Sequence, residues 1–177
     1  MDRTERPLSK SVKYRGSILN LRIDEVETPA GRRAIREVVE HAPAVAVLPV
    51  ADDGAILLIR QYRYAVGRDM LEIPAGLVDP GESPQRCAER ELQEEIGYFP
   101  GKLQKIGTLY NSPGFCTETV TLYLGTELRP SRLAADEDEF IETVPVPGEE
   151  IRGMVERGEI TDGKTFAALA WYLAFQK

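Results

Sequence analysis

The most constraining feature of this chain is residues 76–98, which read GLVDPGESPQRCAERELQEEIGY. Ser83 followed by Pro84 is the pattern of a helix N-cap and first helical position, because proline lacks the amide hydrogen that the first turn leaves unused. Gly97 is a residue type that commonly ends a helix in the left-handed conformation. The sequence therefore predicts a loop followed by a helix at residues 84–96.

This predicted helix carries a cluster of carboxylates on one face. Glu91 and Glu95 are one turn apart, and Glu94 lies beside them at the i+3 spacing from Glu91. Arg90 is spaced i,i+4 from Glu94 and can orient its carboxylate. Neighbouring carboxylates repel each other unless a cation lies between them, and Mg²⁺ takes carboxylate oxygens together with substrate phosphate and water. With Glu82 brought nearby by the preceding loop, the pattern predicts a metal-binding cluster rather than a solvated acidic helix face.

Composition narrows the class of protein. The chain has 177 residues, of which 42% are apolar and 29% charged, as expected for a globular protein with one main domain. A net charge of −7 argues against nucleic acid as a partner, and no apolar run is long enough to predict a membrane span. Two cysteines and one histidine do not support a disulfide scaffold or a Ser-His-Asp triad. The start, MDRTERPLSK, lacks a signal-peptide core, so we expect a cytoplasmic protein.

The rest of the chain reads as short strands, with helices near the C-terminus. Apolar alternation and short apolar runs predict strands at residues 19–24, 34–40, 44–50, 55–60, 105–110, 120–127 and 141–146. Helical spacing predicts further helices at residues 148–157 and 164–175. The expected fold class is α+β, with a mixed sheet between helices and an N-terminal β-hairpin extension. We divide the chain into an N-terminal strand and hairpin region, residues 1–42, and a catalytic domain, residues 43–177.

The spacing within residues 76–98 resembles the signature of the Nudix hydrolases, G-x5-E-x7-R-E-U-x-E-E-x-G-U, where U is a bulky aliphatic residue. The chain departs from it only at the last position, where Tyr98 can fill the same packing role. Outside the signature, residues 60–63 (RQYR), residues 72–76 (EIPAG) and Pro113 resemble the ADP-ribose pyrophosphatase branch. The resemblance implies an α/β/α sandwich and a homodimer that exchanges its N-terminal strands.

The same resemblance implies a reaction and a set of metal ligands. The reaction is hydrolysis of ADP-ribose, a nucleotide sugar, to AMP and ribose 5-phosphate, with two to three Mg²⁺ or Mn²⁺ ions per site. Glu91 and Glu95 match the principal metal-binding glutamates. Glu94 and Glu82 assist them or bind a further ion, and the backbone carbonyl of Ala75 matches a main-chain ligand.

The candidate general base lies in the acidic run at residues 136–139. Glu139 fits the family's position best, from its place just before the strand predicted at residues 141–146. The catalytic candidates are therefore Glu139 together with Glu94 and Glu95. A solvated acidic loop is the alternative interpretation of this run.

Substrate recognition needs cations for the phosphates and flat surfaces for the adenine. Arg63 is the leading candidate for a phosphate contact, because a guanidinium forks onto phosphate oxygens; a surface arginine at a strand end is the alternative. Five further candidates lie in the N-terminal hairpin and in the loop after Pro113, where the branch binds adenine and ribose: Ile18, Arg33, Arg36, Gly114 and Phe115.

Two other functions stay open from the sequence. The substrate could be another nucleoside diphosphate derivative, such as GDP-mannose, a dinucleotide polyphosphate or an oxidised nucleotide. The chain could also be a nucleotide-sensing domain without catalysis. Such domains typically lose glutamates of the signature, whereas Glu82, Glu91, Glu94 and Glu95 are all present here.

Overall fold

The computed structural model describes residues 2–134 and 139–176. The strands over these residues are β1 Arg6–Arg15, β2 Leu19–Glu27, β3 Arg33–His41, β4 Ala44–Pro49, β5 Ile56–Arg63, β6 Arg68–Glu72, β7 Ala75–Leu77, β8 Tyr98–Tyr110, β9 Thr119–Pro130 and β10 Ile141–Val146. The helices are α1 Pro84–Glu91, which continues directly into the π-helical segment Leu92–Ile96, α2 Ile151–Glu156 and α3 Gly163–Phe175. Among the described residues, no helix has the length and apolar character needed to cross a bilayer.

The chain divides into two units, and the first runs up to Pro43 and includes Tyr110–Thr119. Its three strands form an antiparallel sheet in the order β1-β2-β3. β2 and β3 are the predicted hairpin, paired over their full length. β1 is not among the predicted strands, because most of its residues are exposed and no apolar alternation marks it. The N-terminal extension is therefore one strand larger than the sequence predicts.

The segment Tyr110–Thr119 belongs to the first unit because it is hydrogen-bonded to β3. The N–H of Val39 donates to the carbonyl of Phe115 at 2.7 Å, and the N–H of Thr117 donates to the carbonyl of Val39 at 3.0 Å. The N–H of His41 donates to Thr117 Oγ1 at 3.0 Å. The loop that carries Gly114 and Phe115 thus lies along the edge of the N-terminal sheet.

The second unit comprises Ala44–Leu109 and the chain from Val120 onward. Its four-stranded sheet has the order β7-β4-β9-β8, with β4 parallel to β9 and antiparallel to β7. A three-stranded antiparallel sheet has the order β10-β5-β6. The prediction of a mixed sheet is confirmed. The sequence analysis missed the short strands β6 and β7, and β8 begins at Tyr98 instead of at residue 105.

Strand β4 separates two apolar cores because both of its faces are buried. Its even-numbered residues share one core with residues of α2 and α3: Ala44, Ala46, Leu48, Ile151, Met154, Ala168 and Leu169. Its odd-numbered residues share the other core with the helix at residues 84–96: Val45, Val47, Cys87, Ala88, Leu92 and Ile96. Since side chains alternate across a strand, helices cover opposite sides of the sheet. This is the predicted α/β/α sandwich.

The helix at residues 84–96 begins and ends where the sequence predicts. The Oγ of Ser83 accepts a hydrogen bond from the N–H of Arg86 at 3.3 Å, which is the expected N-cap. The helix ends at Gly97, whose φ of 76° is left-handed. Its last five residues are π-helical instead of α-helical, which the sequence does not indicate. Tyr98 is half-buried and packs against the second core, in the role predicted for it.

Candidate active site

Glu91 ends α1 and Glu95 lies in the π-helical segment, and both side chains are buried. Glu95 Oε2 accepts a hydrogen bond from the N–H of Ala75 at 3.1 Å. The carboxylate of Glu91 lies against the backbone of Gly76, since a Cβ at that glycine would come 1.9 Å from Glu91 Oε1. Strand β7 thus lines one side of the two carboxylates, and only glycine leaves room for Glu91 there.

Arg90 is the counter-ion of this cluster. Its Nη1 lies 2.7 Å from Glu91 Oε1 and 2.8 Å from Glu94 Oε2, so the predicted pairing of Arg90 with Glu94 is confirmed. Its Nε and Nη2 donate to the two oxygens of Glu82, each at 3.1 Å. The hydrogen bond to Glu82 is the main cause of the raised pKa of Arg90. One guanidinium therefore serves three carboxylates.

Glu82 reaches the helix because its loop folds back, as the sequence predicts. The hydrogen bond from Arg90 is the main reason that the pKa of Glu82 is lowered, and burial opposes it. The N–H of Asp79 also donates to Glu82 Oε2 at 3.2 Å. Arg90 Nη2 closes the loop further by donating to the carbonyl of Leu77 at 3.1 Å. Glu82 is thus held as a carboxylate beside the helix.

The pKa values of Glu91 and Glu95 are raised, whereas that of Glu82 is lowered. Burial raises the pKa of Glu91 to about 7; Arg90 counteracts this, while the charges of Glu94 and Glu139 add to it. Burial, followed by the charges of Glu91 and Glu139, raises the pKa of Glu95 well above its usual value. The pair is short of positive charge because Arg90 is shared among several acids, and Arg63, whose charge also acts on Glu95, is hydrogen-bonded to Glu72.

Glu139 lies within electrostatic range of Glu91 and Glu95. Its charge acts on both Glu91 and Glu95, which places it near the pair. It stands just before β10, whose Ile141 pairs with Gln61 of β5. The rest of the predicted acidic run, residues 136–138, lies outside the described residues.

The donor set of this cluster fits a hard divalent cation. Among the residues that the structure describes, no three histidine, cysteine, aspartate or glutamate side chains converge as a preformed cage. Glu91 and Glu95 are nevertheless two buried, neighbouring carboxylates, and a cation between them would offset their repulsion. The two carboxylates supply oxygen ligands of the kind that Mg²⁺ and Mn²⁺ prefer, and the Ala75 carbonyl as a further ligand stays a prediction.

Cys87 takes no part in such a site as a thiolate. It is fully buried, and its Sγ donates to the carbonyl of Leu77 at 3.2 Å. Burial, reinforced by the charge of Glu91, raises the pKa of its thiol to about 12. Cys87 and Cys116 are both free thiols, as the sequence predicts.

Arg63 lies at the end of β5 and forms a second ionic cluster. Its Nε and Nη2 donate to the two oxygens of Glu72, each at 2.7 Å. Glu72 is 1% exposed and also pairs with Lys164. The charge of Glu95 is among the causes that raise the pKa of Arg63, after the hydrogen bond to Glu72 and against burial. Arg63 is therefore near the buried pair of glutamates.

The sequence analysis missed Glu72 and Lys164 as members of this cluster. A signal was present for Glu72, which is a single acidic residue in the otherwise apolar stretch of residues 70–75, MLEIPA. A charged residue in such a stretch is buried only if it is paired. Its partners, Arg63 and Lys164, are 9 and 92 residues away in sequence, and spacing alone does not connect residues so far apart.

The remaining substrate-binding candidates belong to the first unit: Ile18, Arg33, Arg36, Gly114 and Phe115. Arg33 pairs with Glu25 at 3.1 Å, and Arg36 pairs with Glu5. Ile18 and Phe115 are exposed, and a Cβ at Gly114 would meet no atom within 4 Å. The second unit contains the other candidates, namely Glu82, Glu91, Glu94, Glu95, Glu139, Ala75 and Arg63.

A layered α/β/α fold with glutamates of one loop and helix gathered around a single arginine defines a class of metal-dependent hydrolase. The family model described as the NUDIX domain matches residues 40–169. The chain therefore belongs to the Nudix hydrolase family.

Individual relatives agree with this assignment. The chain is 41% identical over 169 residues to an ADP-ribose pyrophosphatase of Bacillus subtilis (strain 168), covering 94% of this chain and 91% of the relative. It is 34% identical over 175 residues to a methanol dehydrogenase activator of Bacillus methanolicus, covering 98% and 94%. A crystal structure of an ADP compounds hydrolase superposes with a TM-score of 0.88 at 25% identity, covering 97% of this chain and 93% of that chain.

Proposed function

We propose that this protein is a divalent-metal-dependent pyrophosphohydrolase that cleaves ADP-ribose to AMP and ribose 5-phosphate. The observation that carries the reaction type is the buried pair Glu91 and Glu95, with Glu139 near both. The substrate is supported by the similarity to the ADP-ribose pyrophosphatase and to the ADP compounds hydrolase. Water is the second reactant, and the bond that breaks joins one phosphorus to the bridging oxygen of the diphosphate.

Glu91, Glu95 and the Ala75 carbonyl would hold the cation, and Glu94 and Glu82 would assist them. When bound, Mg²⁺ or Mn²⁺ neutralises phosphate oxygens and makes phosphorus more electrophilic. The N–H of Ala75 keeps the Glu95 carboxylate in place through its 3.1 Å hydrogen bond. We propose two to three ions per site.

Glu139 would accept the proton of the attacking water. Its nearness to Glu91 and Glu95 supports this role, since a base must lie within hydrogen-bond reach of the water that it activates. The proton then leaves with the products or exchanges with solvent. Arg63 would bind a phosphate oxygen, because 38% of its side chain is exposed despite its hydrogen bonds to Glu72.

The first unit would form a homodimer with exchanged N-terminal strands. Its exposed apolar residues support a partner surface: Val12, Tyr14, Ile18 and Ile35. We propose that Ile18, Arg33, Arg36, Gly114 and Phe115 contact the nucleoside and ribose portions. The free thiols Cys87 and Cys116 are consistent with a cytoplasmic location.

The test is turnover of purified protein with Mg²⁺ or Mn²⁺ on ADP-ribose, GDP-mannose, diadenosine polyphosphates and an oxidised nucleotide, with products separated by chromatography. We expect AMP and ribose 5-phosphate from ADP-ribose, and loss of this activity in Glu95→Gln. Glu89→Gln is the matched control, because Glu89 lies on the same helix and pairs only locally with Gln85 at 3.0 Å.

Each alternative has its own outcome in this assay. A preference for GDP-mannose or another compound keeps the hydrolase and replaces the substrate. Binding of ADP-ribose without turnover of any compound would make the chain a nucleotide sensor and overturn the proposal. Loss of activity in Glu89→Gln as well would mean that the effect of Glu95→Gln comes from the fold and not from the site.

A further inference from the structure

We propose that Glu72 is a positioning residue that holds the guanidinium of Arg63 in the orientation needed to bind a substrate phosphate. This inference rests on the proposed function, because it assigns Arg63 to the diphosphate. Glu72 itself does not touch substrate. It is 1% exposed, and its two oxygens take the two hydrogen bonds of Arg63 at 2.7 Å each.

The geometry of β5 and β6 makes this contact directional. Glu72 pairs across the strands with Ile59, which lies four residues before Arg63 on β5. The side chain of Arg63 therefore runs back along its own strand to reach Glu72. A free arginine has several rotatable bonds, and two parallel hydrogen bonds fix the plane of its guanidinium. The guanidinium of Arg63 is thus held in one orientation before the substrate binds.

Glu72 is in turn fixed from the side of α3. Lys164 pairs with Glu72 and lies 3.1 Å from Asp162 Oδ2. The Oγ1 of Thr165 accepts a hydrogen bond from the N–H of Ile73 at 2.9 Å and donates one to Asp162 Oδ2 at 2.6 Å. The carboxylate of Glu72 is therefore held between β5 and the first turn of α3, and it cannot follow Arg63 if Arg63 moves.

The charges in this cluster are balanced, and part of the Arg63 side chain stays exposed. Glu72 and Asp162 carry two negative charges, which Arg63 and Lys164 balance. Burial acts to raise the pKa of Glu72, but the hydrogen bonds and charges of Arg63 and Lys164 outweigh it, so that the pKa is lowered and Glu72 stays ionised. Arg63 keeps 38% of its side chain exposed and lies near Glu95. Arg63 thus has exposed surface within electrostatic range of Glu95, where the proposed function places the diphosphate.

A purely structural role would give a different pattern of effects. If Glu72 served only to attach α3 to the sheet, its removal would lower stability and leave substrate affinity unchanged. Removal of Lys164, which bonds to the same carboxylate, would then act in the same way. The two roles are separated by measuring KM, kcat and thermal stability in matched variants.

The experiment is a double-mutant cycle with Glu72→Gln and Arg63→Ala, with Lys164→Met as the matched control. Glutamine keeps the size of Glu72 but removes its charge and one of its two acceptor oxygens. We expect Glu72→Gln to raise KM for ADP-ribose about tenfold, with a smaller change in kcat. In the Arg63→Ala background the same change should alter KM by less than about twofold, because Glu72 acts through Arg63. Lys164→Met should lower Tm and raise KM by less than Glu72→Gln does, because Arg63 keeps both of its hydrogen bonds to Glu72.

Two results would overturn the positioning role. One is an equal effect of Glu72→Gln on KM with and without Arg63. The other is a rise in KM in Lys164→Met as large as in Glu72→Gln. If Glu72→Gln does not fold, Glu72→Asp replaces it, since aspartate keeps the charge and withdraws the carboxylate by one methylene group; it should raise KM in the same Arg63-dependent way.

The proposed function fails separately from this inference. If the wild-type protein does not cleave ADP-ribose, the substrate assignment fails, and the cycle is run on the compound that it does cleave. If the protein cleaves none of the compounds, the double-mutant cycle uses the Kd of ADP-ribose in place of KM. In each case, dependence of the Glu72 effect on Arg63 supports the positioning role, and independence overturns it.

Discussion

Two arginines in the second unit pair with acidic residues, but the number of cations available to each carboxylate differs between the two clusters. Arg90 is a single cation shared by Glu82, Glu91 and Glu94. In the other cluster, the single carboxylate of Glu72 is shared by Arg63 and Lys164. The first cluster has a surplus of negative charge and suits a metal ion. The second has its carboxylate satisfied and suits a fixed cation for phosphate.

The difference also appears in the direction of the pKa shifts. Burial raises the pKa of Glu91 to about 7, because Arg90 is divided among several acids. Burial acts on Glu72 as well, yet two cations hold its pKa below the usual 4.5. Burial alone thus does not decide the ionisation of a glutamate. The number of cations available to each carboxylate decides it.

The largest expected effect comes from removing Arg90, the cation that Glu82, Glu91 and Glu94 share. Without divalent metal, Arg90→Gln should lower the free energy of unfolding by about 3 kcal/mol, since it leaves partly buried carboxylates unpaired. Lys164→Gln should cost only about 1 kcal/mol, because Glu72 keeps Arg63. Urea unfolding measures both. Equal losses would contradict the comparison, and added Mg²⁺ should stabilise the Arg90 variant by binding the freed carboxylates.

Removing the charge of Glu139, which acts on Glu91 and Glu95, should slow catalysis. Glu139→Gln should lower kcat by about 10²-fold or more, in line with the usual contribution of a general base. Steady-state turnover of ADP-ribose at saturating Mg²⁺ measures it. Glu142→Gln is the control, because Glu142 is an exposed neighbour that pairs with Arg60 at 2.9 Å. Near-wild-type turnover in the Glu139 variant would remove Glu139 from the mechanism.

A substitution at Gly76 should have a smaller effect on the first cluster. A methyl group there would overlap Glu91 Oε1, so Gly76→Ala must displace that carboxylate. We expect kcat/KM to fall about tenfold or more with little change in Tm, since a flexible side chain can move aside but loses its position. Gly107→Ala in β8 is the control, because a Cβ there meets no atom within 4 Å. An unchanged kcat/KM would show that the position of Glu91 is not critical.

The smallest effect is a pH dependence of stability that differs between the clusters. In metal-free protein the folded pKa of Glu91, about 7, lies above its usual 4.5, so the free energy of unfolding should fall as pH rises through this window. The slope should be on the order of 1 kcal/mol per pH unit. The lowered pKa of Glu72 acts in the other direction, with stability lost as pH falls below 4.5.

Denaturant unfolding between pH 4 and pH 8 checks this pair of slopes. Glu91→Gln should flatten the loss of stability at higher pH, and Glu72→Gln should flatten the loss on the acid side. Saturating Mg²⁺ should also abolish the first slope, because the cation binds the deprotonated form. A wild-type curve with no slope between pH 4.5 and pH 7 would contradict the assignment for Glu91.

The predictability of each cluster follows from sequence distance. Glu82, Arg90, Glu91, Glu94 and Glu95 lie within 14 residues of one another, and helical periodicity is enough to bring them together. Glu72, Arg63 and Lys164 come from β6, β5 and α3. No local period links them, so only the assembled sheet and helix reveal the cluster.

The extent of the N-terminal sheet shows the same limit. The β2–β3 hairpin carries apolar alternation and was predictable, whereas β1 is exposed along most of its length and forms through backbone pairing with β2. When neither face of a strand is buried, its backbone hydrogen bonds impose no alternation of apolar and polar side chains. The two short strands β6 and β7 were missed for a related reason, since each has too few residues to establish a period.

The sequence by itself determined the helix, its ends and the face that carries the glutamates, because N-cap, proline, glycine and helical spacing all act within a few residues. It also determined the two-sided burial of β4, through a continuous apolar run. Only the tertiary structure decided which carboxylates keep a charge. That outcome depends on how deeply each is buried and how many cations reach it, and both follow from contacts between elements far apart in the chain.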